Sequence, residues 1–172
     1  MENRDEKLAE SIPMKSLIVL YSYHHHNTEK IAEVFAKVLD AEIRWPEEVN
    51  PEDIQDYELV GFGSGIYSAK HDESILKLAD ELPEVNNKDA FLFSTAGITG
   101  ESKRFKDHAV LREKLESKGY TIVDEFQCKG FNTNSFLKLF GGINKGRPNA
   151  IDLENAEDFA VNLKQSIIEF KS

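Results

Sequence analysis

Five short apolar runs alternate with segments of helical period along this chain: LIVLY (Leu17 to Tyr21), AEI (Ala41 to Ile43), LVGFG (Leu59 to Gly63), FLFS (Phe91 to Ser94) and YTIVDEFQC (Tyr120 to Cys128). The first run has no polar interruption, the pattern of a strand covered on both faces. The last alternates apolar and polar residues, as an edge strand with one wet face does. Between them, Ile31, Val34, Phe35, Val38 and Leu39 recur at steps of three and four, so Thr28 to Leu39 reads as an amphipathic helix. Asn50 and Pro51 open a brief helix. Asp72 caps another, with Ile75, Leu78, Ala79 and Leu82 inward and Pro83 at its end. A further helix turns Phe105, Leu111 and Leu115 inward and closes at Gly119; the last buries Leu153, Ala156, Ala160, Leu163 and Ile167. Right-handed crossovers between such strands leave little other than a parallel sheet wrapped on both sides. The expected fold is α/β: a doubly wound five-stranded parallel sheet in three α/β/α layers.

The 172 residues suffice for one domain, expected over 15–172, with residues 1–14 as a loose polar arm. The net charge of −10, with no basic stripe to neutralise phosphates, argues against nucleic acid as a partner. Cys128 is the single cysteine, so no intrachain disulfide or sulfur-rich metal site can form. No run of eighteen apolar residues occurs, and MENRDEKLAESIP lacks the apolar stretch of a secretion signal. The expectation is a cytoplasmic protein without membrane insertion, a monomer or homodimer.

In doubly wound sheets ligands sit beyond the carboxyl ends of the strands, which points to the loops 22–28, 64–71 and 94–101. YSYHHHNT delivers Ser22, Asn27 and Thr28 to a helix amino end, where N–H groups and the dipole attract an anion such as phosphate. The plainer alternative is that Asn27 or Thr28 only caps the helix. No GxGxxG follows the first strand, which disfavours a dinucleotide site. The glycines of GFGSG (61 to 65) are expected to permit close packing and a tight turn, and GGINKG (141 to 146) lacks the ending of a P-loop. A receiver domain would need an aspartate where Ser64 stands. Adjacent histidines diverge in a loop, so His24, His25 and His26 are a poor set for one metal ion.

From about Lys15 onward the chain resembles the flavodoxin family. YSYHHHNTEKIA is similar to the family's flavin phosphate loop, YELVGFGSGIYSAKHDE to its first flavin-edge loop, and FLFSTAG to its second. The resemblance implies strand order 2-1-3-4-5 and a bound FMN, its phosphate held by Ser22, Asn27, Thr28 and the backbone between them. Ser64, Gly65, Ile66 and Tyr67 would meet the ring and its edge, with Ser94, Thr95, Ala96 and Gly97 on the other side. Tyr67 is the stacking candidate, an apolar ring with a polar tip. The family's usual small residues are histidines here, and a charged imidazole suits a phosphate. His24 or His26 is therefore expected to donate to it, with FMN affinity weakening as pH rises through the imidazole range.

Two functions stay open. A low-potential electron carrier, serving a redox partner protein, is one. A flavin-dependent oxidoreductase passing two electrons from NAD(P)H or another donor to a small flat acceptor such as a quinone is the other. STAGITGES contains no aromatic residue, and Ser68 stands where many family members have a glycine whose peptide turns over on reduction. GSGIYSAKHDE also resembles the flavodoxin-like protoporphyrinogen dehydrogenases. The connection from Cys128 to Ala150 is long enough to be functional, with Phe131, Phe136, Leu139 and Phe140 available to cover the ring or a partner and Lys138, Lys145 and Arg147 adding positive charge. A packed surface loop is the competing account of it.

Overall fold

The structure, a computed structural model, describes residues 13–23, 25–132 and 141–172. Strands β1 (Ser16–Tyr21), β2 (Ala41–Arg44), β3 (Leu59–Tyr67), β5 (Lys88–Ala96) and β6 (Tyr120–Lys129) form the parallel sheet in the order β2-β1-β3-β5-β6. Counting parallel strands alone, this is the order 2-1-3-4-5. A two-residue strand β4 (Lys70–His71) folds back antiparallel on β3. Helices α1 (Asn27–Leu39) and α5 (Ala150–Lys171) cover one face; α2 (Glu73–Glu81), α3 (Glu101–Asp107) and α4 (Ala109–Ser117) cover the other.

Period-two alternation divides β1 between two cores: Leu17 and Val19 pack with Ile75, Leu78, Leu111 and Leu115, while Ile18 and Leu20 pack with Ile31, Phe35, Ala160 and Leu163. Phe35 sits at the centre of the second core with its edge against Phe91, Phe93 and Phe126. Beside it β3 is thin for a reason. A methyl at Gly61 would stand 2.3 Å from the Phe91 ring and one at Gly63 2.2 Å from the Phe93 ring, so these glycines make room for aromatic packing.

The third strand runs past Gly63 to Tyr67, and the stretch read as a loop over 64–71 is largely a hairpin: Ile66 pairs with His71 and Tyr67 with Lys70. The single helix expected around Phe105 and Leu111 is instead two, broken at His108 (φ −90°, ψ −7°). The break turns Asp107 and His108 into the protein, where both are fully buried, and leaves Phe105 63% exposed against the guanidinium of Arg112. Polar partners waiting on the sheet override the helical stripe there. At the amino end Met14 packs against the second core; residues 1–12 lie outside the described residues. Among the described residues no helix is long and apolar enough to cross a membrane.

Candidate functional site

A cleft lies at the carboxyl end of β1, β3 and β5, lined by Ser22, Asn27 and Thr28 from the first loop, Gly65 to Tyr67 from the second, and Thr95 to Gly97 from the third. Tyr23, Gly130, Phe131 and Asn132 complete it. The three loops singled out from sequence therefore converge, and part of the long connection after β6 joins them.

The first loop is built by two consecutive left-handed residues, His25 (φ 54°) and His26 (φ 52°), which swing the chain into α1. His26 is the N-cap residue and makes no side-chain cap bond. Neither Asn27 nor Thr28 is spent on capping. Asn27 donates its Nδ2 to the Phe131 carbonyl at 2.9 Å, and the Thr28 and Thr95 hydroxyls lie 2.9 Å apart. Ser22 Oγ accepts from the amide of Glu29 at 3.3 Å. These buried side chains tie the first loop to the third and to the segment after β6. Gly130 allows the closure, because a methyl there would meet Asn27 Nδ2 at 2.7 Å and Thr95 at 3.2 Å.

On the opposite wall, Tyr67 folds over Gly65, its hydroxyl 3.1 Å from where a Gly65 methyl would stand. Partial burial pushes its phenol above the ordinary range. The third wall is pinned from behind, with Asn144 donating to the Gly97 carbonyl at 2.7 Å and Asn132 bridging to Ile143. Ile98, at its tip, is 69% exposed.

Not every anticipated residue lines the cleft. Ser64 is fully buried on the other face of the sheet, where its Oγ donates to the Gly65 carbonyl and accepts from the Asp72 amide at 2.9 Å. Ser94 also points there, its Oγ 2.7 Å from His108 Nε2. His26 faces solvent with Nδ1 2.6 Å from Glu29 Oε2, and the His25 ring packs on Phe131 with centroids 4.4 Å apart. His24, Phe136, Lys138, Leu139 and Phe140 lie outside the described residues. Arg147 is engaged by Asp152 at 2.5 Å. Cys128 is buried, which pushes its thiol up to about 12, in keeping with a filling role. Tyr23, Gly130 and Asn132 went unread; the length of the connection after β6 was the one signal pointing toward the last two.

Behind β5 lies a polar network that no sequence pattern marked. His108 sits between Ser94 and Glu125, with Nδ1 donating to Glu125 Oε1 at 3.0 Å and Nε2 accepting from the Ser94 hydroxyl. Arg112 also reaches Glu125, at 2.6 Å. Gln127 donates to Ser94 Oγ and to Asp107, which Lys103 holds at 2.5 Å. Burial keeps His108 below the ordinary imidazole range despite Glu125. Partial burial alone would raise Glu125, but the bonds from His108 and Arg112 hold it below the usual carboxylate range.

A model of the flavodoxin domain matches residues 18–163. An uncharacterized protein of Methanocaldococcus jannaschii is 49% identical over 150 residues, which cover 87% of this chain and 98% of that one. Among solved structures, oxidised flavodoxin 2 of Bacillus cereus superposes with a TM-score of 0.66 at 17% identity, covering 88% of this chain and 99% of that one. A Fusobacterium nucleatum flavodoxin bound to flavin mononucleotide does so at 0.62 and 14%, covering 89% and 99%. With the domain match spanning most of the chain, the strand order and the cleft at the sheet's carboxyl end agreeing with it, this protein belongs to the flavodoxin domain family.

Proposed function

We propose that this protein binds FMN in the cleft and carries electrons between redox partners. The observation that carries this reading is the first loop: Asn27 and Thr28 use their side chains to close the walls, so what α1 presents to the cleft is its amino end. The first amides of a helix have no acceptor within it, and together with the dipole they suit a phosphate without a lysine or arginine. Asn27 Oδ1 is buried with no partner among the described residues, an acceptor that suits the hydroxyls of a ribityl chain. Tyr67 and the backbone of Gly65, Thr95, Ala96 and Gly97 offer flat, close surfaces to a ring.

Bound FMN would supply reversible one- and two-electron transfer. The chain's own residues would hold the phosphate end and shield one side with Tyr67, and among the described residues the wall at Ile98 is aliphatic and open. His26 engages Glu29, the acidic residue of the first turn, and so occupies a carboxylate that would otherwise repel the phosphate.

The open wall at Ile98 favours a second reading, an oxidoreductase that admits a flat acceptor there. Anaerobic reductive titration of the FMN-loaded protein separates the two. Absorbance changes resolved into two one-electron steps support the carrier. One-step bleaching with rapid turnover of NAD(P)H or a quinone supports the enzyme. Protein that stays colourless after incubation with excess FMN refutes both.

A further inference from the structure

The hairpin that carries Tyr67 is short and turns through a strained pair of residues. Its turn places Ser68 (φ 51°) and Ala69 (φ 58°) in the left-handed region, the pattern of a type I′ turn, which favours asparagine and glycine. Each such residue costs about 1 kcal/mol. Only the Ile66–His71 and Tyr67–Lys70 pairs join the strands, and an isolated two-stranded hairpin is marginal in water. The Lys70–Glu73 pair is exposed and adds little. The Ser64–Asp72 bond and His71 tie it to what lies behind it.

His71 is 1% exposed, and its Nε2 lies 3.1 Å from the Phe93 carbonyl on β5. A carbonyl only accepts, so the proton is on Nε2 and Nδ1 is bare. Nδ1 is buried with no partner among the described residues. Asp72, the next residue, accepts from Ser74, and the charged groups that α3, α4 and β6 bring near it have partners of their own. The His108 ring, at the α3–α4 junction, is 4.7 Å away and already donates to Glu125 of β6; Arg112 of α4 completes Glu125, and Asp107 of α3 is held by Lys103 and Gln127. Among the described residues no acceptor is placed for a second imidazole proton.

We infer that His71 is a positioning residue of the flavin site: as a neutral imidazole on the Phe93 carbonyl, it holds the Ile66–His71 hairpin, and with it Tyr67, closed against the sheet. The inference rests on the FMN reading. Burial, and then His108, push the His71 imidazole down to about 3 from an ordinary 6.5. A hairpin that opens returns His71 to water, so the opened form gains a proton below about pH 6.5 that the closed form refuses until about pH 3. Within that window each unit of acidification multiplies the open fraction about tenfold, and release of FMN through the opened hairpin accelerates with it.

The test is the rate of FMN release on dilution, followed by recovery of flavin fluorescence between pH 7.5 and 5, in the FMN-loaded full chain. Protonation of the FMN phosphate near pH 6 contributes equally to all variants. His71→Leu removes the donor and is expected to release FMN about tenfold faster at pH 7.5, the loss of about 1.4 kcal/mol. His71→Gln restores an N–H donor that does not titrate, so release returns toward the wild-type rate at pH 7.5 with a shallower rise on acidification. In the apo-protein, His71→Leu deprotects the amides of residues 66–71 while those of α1 and β5 keep their protection. His71→Gln retaining the full wild-type acid response overturns the inference, as does unchanged protection of 66–71. Should His71→Leu fail to fold, the slope of His71→Gln decides. Wild-type protein that takes up no FMN sinks the cofactor reading, and amide exchange at 66–71 in the apo-protein then judges the clamp by itself.

Discussion

Histidines stand on two sides of the cleft under opposite physical conditions. His25 and His26 lie in the first loop in left-handed conformations, one against Phe131 and the other in solvent beside Glu29. His71 and His108 lie behind the second and third loops, fully buried, ring against ring, each nitrogen of His108 assigned to a partner. The exposed pair is conspicuous in the sequence and makes its contacts at the surface. The buried pair is scattered and inconspicuous, yet it joins β4, β5, β6 and α4. Conspicuous composition is therefore a poor guide to energetic consequence; the number of desolvated partners is a better one.

The contrast should be largest in stability. Replacing His108 with alanine takes from the Ser94 hydroxyl its acceptor and from Glu125 one of its two donors, and opens a cavity, so a loss of about 2–4 kcal/mol is expected in urea unfolding. His26→Ala in the same assay should change stability by less than about 0.5 kcal/mol, as exposed pairs do. Equal losses would show that the buried pair is not a structural hub.

Acid dependence comes next. The unfolded chain protonates His71 below about pH 6.5 and the folded chain only near pH 3, so folding stability is fully present above about 6.5 and falls as pH drops through that window. His108, also held below its ordinary range, adds in the same direction. The expected slope from His71 approaches about 1.4 kcal/mol per pH unit below about pH 6.5, read from urea midpoints between pH 7 and 5. His71→Gln should flatten it; a slope unchanged in that variant would relocate the proton.

Ligand binding should show a smaller effect. Tyr67→Ala, in the wall that His71 steadies, is expected to weaken FMN binding by about tenfold and raise the fluorescence of bound flavin. The smallest effect is expected at the exposed pair, where His26→Ala should alter the FMN dissociation constant by no more than about threefold at pH 7. A change of a hundredfold there would mean that His26 contacts the phosphate directly.

Much of the fold was legible because side-chain period reports burial directly. The unbroken run Leu17 to Leu20 and the stripe of Ile31, Phe35 and Leu39 each sit where their period places them. Gly61 and Gly63 were read as packing glycines, and the Phe91 and Phe93 rings fill the space they leave. The helix through Phe105 misled, because period alone could not show that Ser94, Glu125 and Gln127 would draw Asp107 and His108 inward and break it. The loops of the cleft were legible as positions at strand ends. Which face each residue takes was not: Ser64 and Ser94 turn to the far side of the sheet while Gly65 and Thr95 line the cleft.

From its sequence alone this chain is a parallel α/β sheet with a ligand cleft where β1, β3 and β5 end, since alternation of period and the handedness of crossovers depend only on neighbours along the chain. Only the tertiary structure decided that Tyr67 sits on a short hairpin with a strained turn, and that a buried imidazole from His71 secures it through Phe93. Partners of a desolvated polar group are chosen by proximity in space, and residues distant in sequence meet there only after the sheet has closed.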